Sequence, residues 1–148
     1  ELLLLREKDI SRCVGCLRCY NSLECSMVDD FDEISYAMKN TDSVILGVPN
    51  YFDNVPGIAK DFIDRSSNWI KKEYLKNKKI VILIVGGSRK RNSKKAVLRA
   101  LKSFIEAHQM NFVYAYYFKA LETNSLIKDE SFSKKFRKIG EKIEKRLS

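Results

Sequence analysis

All four cysteines of the chain, Cys13, Cys16, Cys19 and Cys25, fall in one short window, Cys-Val-Gly-Cys-Leu-Arg-Cys-Tyr-Asn-Ser-Leu-Glu-Cys. The spacing is C-x2-C-x2-C-x5-C. A thiol at every third position can turn three sulfurs toward one compact object, and a fourth six residues later can close the far side. That arrangement suits a cubane [4Fe-4S] cluster held by thiolates. Zinc is the competing ligand. Its usual four-cysteine pattern has two C-x2-C knuckles set apart by a longer spacer, and here the two halves are merged. Reduced, unliganded thiols are the third reading. Clustering argues against disulfides, because a staple stabilises most when it closes a long loop. The two-cluster ferredoxin run also differs, since its fourth cysteine comes sooner and precedes proline, whereas Ser26 follows here.

A second set of residues lies in two loops. Residues 49–57, Pro-Asn-Tyr-Phe-Asp-Asn-Val-Pro-Gly, combine turn formers with aromatics. Gly86-Gly87-Ser88 ends the most apolar run of the chain and leads into basic residues. Small residues with free backbone donors before a helix can hold phosphate. Tyr51 and Phe52 could stack on a planar ligand or merely pack their own loop.

These residues need elements to place them. The runs 2–5, 43–48, 79–85 and 112–118 are apolar without alternation, as strands buried on both faces are. Between them, 31–38, 58–65, 94–108 and 129–147 repeat apolar residues at helical spacing. Asp29-Asp30 precedes the first of these helices and suits its positive end. Pro56 suits the first position of the second. Alternating strands and helices predict an α/β fold with a parallel sheet covered on both faces. Ligands in such sheets bind beyond the carboxyl ends of the strands, where strand order reverses. The loops at 11–27, 49–55 and 86–93 are expected to gather there. Residues 88–93 read as a basic loop, and His108 as a residue at a helix carboxyl end rather than a catalyst. Trp69 could line a subunit contact.

The chain has 148 residues, which suits one domain, 1–148, with the cysteine-rich loop at 11–27. No apolar run is long enough to span a membrane, and no signal-peptide pattern is present. Clustered thiols suit a reducing cytoplasm. The net charge of +9 is uneven. Residues 1–70 carry 7 Lys/Arg against 12 Asp/Glu, and residues 71–108 carry 12 against 2. A basic middle attracts anionic partners, or is simply a set of solvated helix faces. It lacks the regular aromatic interleaving of a single-strand nucleic-acid platform, so nucleic acid is not the expected partner. Lys8, Arg12 and Arg18 flank the cysteines, and positive charge there would offset thiolates.

In order, the cysteine motif, a strand, Pro49-Asn-Tyr-Phe and then Lys60-Asp-Phe-Ile-Asp-Arg65 resemble the iron–sulfur flavoproteins. Those proteins belong to the NADPH-dependent FMN reductase branch of the flavodoxin-like fold. The resemblance implies a three-layer, doubly wound parallel sheet with FMN at its edge near a [4Fe-4S] cluster. It carries over Pro49, Asn50, Tyr51, Phe52, Asp53 and Asn54 as flavin contacts, with Gly86, Gly87 and Ser88 lining the other side. It implies a structural role for Asp64-Arg65. It also implies a homodimer or homotetramer and electrons supplied by NAD(P)H or a ferredoxin. Relatives open with a strand and a G-S-x-R-type loop that cradles the FMN phosphate. Nothing ahead of Glu1 corresponds to these, and 2–5 takes the place of the family's second strand. The turn at 87–93 is a substitute only by composition, because its order marks it as the later loop. The alternative function is a zinc-stabilised or cofactor-free module that binds through its basic surface.

Overall fold

The structure is a computed structural model and describes residues 1–87, 90–120, 126 and 130–147. Its centre is strand β2, Lys79–Gly86. This strand is a run of β-branched and aliphatic residues, and Ile80, Val81, Ile82 and Ile84 are all fully buried. Burial on both faces is what an unalternating run requires. On one side β2 pairs in parallel with β1, Ser43–Pro49, from Ser43 opposite Lys79 to Pro49 opposite Val85. On the other it pairs in parallel with β3, Asn111–Lys119, with a register shift between Ile80 and Val81.

Side chains alternate across a strand, and the two faces of β2 meet different helices. Ile80, Ile82 and Ile84 belong to one core cluster. They share it with Phe31 and Ile34 of α2, Phe31–Lys39, and with Phe62 of α3, Gly57–Arg65. Val97, Leu101 and Phe104 of α4, Lys90–Ala107, complete that layer. Leu83 and Val85 point the other way. They line a groove with Phe132 and Phe136 of α5, Glu130–Leu147. Helices therefore cover both faces, as the sequence predicts. The strand order β1-β2-β3 follows chain order, so the expected reversal of strand order is not among the described strands.

Residues 2–5 correct the sequence reading. They join no ladder; Leu5–Glu7 is a 3₁₀ turn. The backbone closes locally, with Glu7 N–H donating to Leu4 O at 2.9 Å and Lys8 N–H to Leu5 O at 3.1 Å. Leu3, Leu5 and Ile10 still pack against the core. A short apolar run states only that side chains want burial, and local turns satisfy its backbone as well as a strand does. Helix α4 is a second correction. It begins at Lys90, inside the expected loop, because Lys, Arg, Asn and Ser do not break a helix. Trp69 is a third. It is fully buried in the 3₁₀ segment Ser66–Trp69, stacked on Phe31 at 4.8 Å, with its indole N–H donating to Ser35 Oγ at 2.9 Å. It is a core residue and not a surface one.

Candidate functional site

Where β1 ends, the chain makes a two-residue hairpin. Tyr51 and Asn54 exchange backbone hydrogen bonds of 3.0 Å each, and Phe52 and Asp53 between them have φ of 50° and 56°. Two successive left-handed residues make a type I′ turn, which normally asks for Asn or Gly. Phe52 is an unfavourable choice there. Its side chain packs on nothing and is fully solvent-exposed, and Tyr51 is 60 % exposed. Exposure excludes loop packing as the reason for Phe52.

Under the turn lies a polar notch. Asn50 N–H donates to Val85 O at 2.7 Å, tying the loop to the end of β2. Its side-chain amide donates to Ser93 Oγ of α4 at 3.0 Å and to Asp53 Oδ1 at 3.4 Å. Asn50 Oδ1 is buried without a partner. Gly86 is needed for close approach. A Cβ there would sit 2.9 Å from Tyr117 Oη and 3.0 Å from Asn50 Cβ. Tyr117 O–H donates to Gly86 O at 2.8 Å. Pro49 also borders the apolar groove between the sheet and α5, whose volume is about 880 Å³. That is within the range of small-ligand pockets. The sequence-predicted residues Pro49 to Asn54 and Gly86 thus meet at one sheet edge. Gly87 follows as an exposed residue, while Ser88 and Arg89 lie outside the described residues. Ser93 and Tyr117 were not foreseen. Ser93 read as loop and Tyr117 as strand packing, and only their pairing across elements reveals them.

The cysteines occupy a separate loop. Gly15, Leu17 and Leu23 all have positive φ, and the short helix α1, Arg18–Ser22, lies between the two leucines. Cys13 and Cys16 are exposed, Cys19 and Cys25 half-buried, and none of the four is in a disulfide. The Arg18 backbone N–H, and then the Ser26 hydroxyl 3.8 Å away, hold the Cys16 thiol below its usual pKa. Backbone donors turned toward sulfur favour the thiolate that metals require. Among the described residues no three Cys, His, Asp or Glu side chains converge on one metal-sized point. The donor set itself, four free thiols in one loop, fits an iron–sulfur cluster or zinc by its chemistry.

Both ends of this loop are fastened to Arg65. Its guanidinium is 3 % exposed and grips Asp29 at 2.5 and 3.1 Å while donating to Ser11 O at 2.8 Å. Asp29 also accepts from the Ser11 and Phe31 backbone N–H groups at 3.0 Å each. Burial works against its charge, but the Arg65 and backbone hydrogen bonds prevail and hold its pKa at about 2. Arg65 is the last residue of α3, about 12 Å from the helix start beside the Tyr51 turn at 1.5 Å per residue. The expectation that three loops gather at one edge therefore holds for 49–55 and the Gly86 segment, while the cysteine loop is rooted elsewhere. The reason is that 2–5 is not a strand, so the loop does not leave a strand's carboxyl end. Of the flanking cations, Lys8 pairs with Glu33 at 2.6 Å and Arg12 lies 3.9 Å from Asp61.

Comparison with known proteins completes the picture. Residues 1–144 match the family described as NADPH-dependent FMN reductase. An iron-sulfur flavoprotein of Methanocaldococcus jannaschii is 34 % identical over 110 residues, covering 74 % of this chain and 56 % of that protein. An iron-sulfur flavoprotein of Methanosarcina thermophila is 31 % identical over 111 residues, covering 74 % and 58 %. The chain thus spans somewhat over half the length of these relatives. Among solved structures, the Trp repressor binding protein of Bacillus subtilis superposes with a TM-score of 0.61 at 20 % identity, covering 73 % of this chain and 70 % of that one. The likeness shows a shared flavodoxin-like fold.

Proposed function

Because this chain belongs to the NADPH-dependent FMN reductase family, we propose that it is an FMN-dependent oxidoreductase that passes electrons between the flavin and a [4Fe-4S] cluster. The observation that carries the flavin half is the strained turn at Phe52 and Asp53, standing over a notch with one orphan acceptor. Backbone strain at an exposed aromatic is retained where it serves a ligand. Tyr51 and Phe52 offer ring surface for an isoalloxazine. Asn50 Oδ1 offers an acceptor for a ligand N–H, and Ser93 fixes the orientation of that amide. Gly86 keeps the edge open, and Pro49 leads into the apolar groove.

Cys13, Cys16, Cys19 and Cys25 would hold the cluster. When bound, the flavin exchanges electrons in pairs or singly and the cluster one at a time, so the two join hydride chemistry to single-electron transfer. The protein's own part is to bind, orient and exclude water, and no side chain is needed as acid or base. Electrons arrive from NAD(P)H or from a ferredoxin. The working form is a homodimer or homotetramer in the cytoplasm. No helix of the described residues is long and apolar enough to cross a membrane.

The test is anaerobic purification of the full chain followed by iron, sulfide and flavin assays. We expect one FMN and about four iron and four sulfide per chain. A colourless protein with stoichiometric zinc would replace this reading with that of a zinc-stabilised binding module.

A further inference from the structure

Arg65 is engaged beyond what a helix carboxyl terminus needs. A guanidinium has five donors. Four hydrogen bonds converge on the Asp29 carboxylate: two from Arg65, one from Ser11 N–H and one from Phe31 N–H. A further Arg65 bond reaches the Ser11 carbonyl. The cation also lies 4.7 Å from the centre of the Phe31 ring. Next to this knot, Asp30 N–H donates to Asp9 O at 3.1 Å, and Asp9 N–H donates to Asp30 Oδ2 at 2.8 Å. One buried ion pair therefore joins Ser11, at the start of the cysteine loop, to Asp29, just past its end. Two charges are retained in such a place only when their hydrogen-bonding capacity is nearly filled. Asp29 meets this with four bonds accepted, while Arg65 uses three of its five donors and its buried Nε makes no hydrogen bond.

We propose that Arg65 is the positioning residue of the cysteine loop: with Asp29 it latches the loop's two ends together and so keeps its four thiols gathered. The latch stands on the geometry alone, and only its effect on iron retention rests on the function proposed above. A bidentate fork is required, because a lysine ammonium cannot pair with both Asp29 oxygens and reach Ser11 O at once.

Anaerobically prepared R65K and R65Q proteins test this by amide hydrogen exchange at Ser11, Phe31 and Ile82. A chelator challenge adds the rate of iron loss, followed in the visible spectrum. We expect both variants to exchange Ser11 and Phe31 at least about tenfold faster while Ile82 stays slow, as for local opening without unfolding. Iron should leave both at least about tenfold faster than wild type, with FMN content unchanged. R65K carries the measurement if R65Q does not fold. Unchanged exchange in R65K, or restoration of wild-type iron retention by lysine, overturns the proposal, since charge alone would then suffice. If the wild-type protein holds no iron, the cluster reading falls, and the latch is judged from exchange and from iodoacetamide labelling. In that case Cys25 should react more slowly than Cys13 in wild type and at a similar rate in R65K. Equal labelling in wild type overturns the latch.

Discussion

At the scale of single residues, His108 shows how neighbours fix a protonation state. The Ser66 hydroxyl donates to Ile63 O at 2.7 Å, so it can only accept from His108 Nε2–H at 2.9 Å. That selects one neutral tautomer and leaves Nδ1 buried without a partner. The ring packs edge-on to Phe104 at 4.9 Å. Burial pushes its pKa down from 6.5 to about 4. The unfolded chain therefore binds a proton that the folded chain refuses, and stability must rise with pH across that interval. We expect the urea midpoint to be flat above pH 6.5 and to fall as pH drops from 6.5 toward 4. His108→Gln should abolish most of that slope. Asp29 acts by the same sign at lower pH, stabilising above its ordinary 3.8 and losing its contribution as pH falls toward about 2. The two losses are separable on the pH axis.

At the scale of elements, the turn after β1 sets aromatic exposure against backbone comfort. Left-handed backbone costs a non-glycine residue roughly 1–2 kcal/mol, and Phe52 carries this cost while its ring remains in solvent. Asn tolerates the same φ. Phe52→Asn should therefore stabilise the protein by about 1 kcal/mol in urea unfolding. It should also weaken FMN, by fluorescence titration, by up to about tenfold, the worth of one aromatic contact. Stabilisation with unchanged flavin affinity would separate the turn from the ligand. The neighbouring elements show the same interdependence. The Asn50 amide reaches α4 through Ser93, and β3 reaches the same edge through Tyr117 and Gly86.

At the scale of the whole molecule, charge and packing act separately. The basic excess of residues 71–108 is split between 71–79, up to the start of β2, and α4 with its approach, and the apolar face of α4 is occupied by the core through Val97, Leu101 and Phe104. Lys95 and Lys102 stand on its solvated face, whereas Lys94 donates to Ala115 O of β3. Binding to DNA, followed by fluorescence anisotropy, should be no tighter than micromolar at physiological salt. It should fall steeply between 50 and 200 mM salt and be indifferent to sequence, as counterion release dictates. Sequence-selective binding would contradict this view of the surface.

Much of this protein was legible without coordinates. Unalternating apolar runs mark the strands at 43, 79 and 112, since a strand buried on both faces has no polar side to show. Helical spacing marks α2 to α5, and clustering alone singles out the four cysteines. The Pro49–Asn54 stretch announces a turn by composition. What remained hidden depends on pairing between distant positions. Residues 2–5 are apolar enough for a strand, but whether a backbone closes locally or across a ladder is decided by its neighbours in space. Arg65 and Asp29 look like ordinary helix-end charges until folding brings Ser11 between them. Asn50, Gly86, Ser93 and Tyr117 become one notch only because the parallel sheet sets β1, β2 and β3 side by side. Hydrophobic pattern is a property of consecutive residues and survives in the one-dimensional string, whereas a hydrogen bond between residues 36 positions apart exists only once the chain has closed.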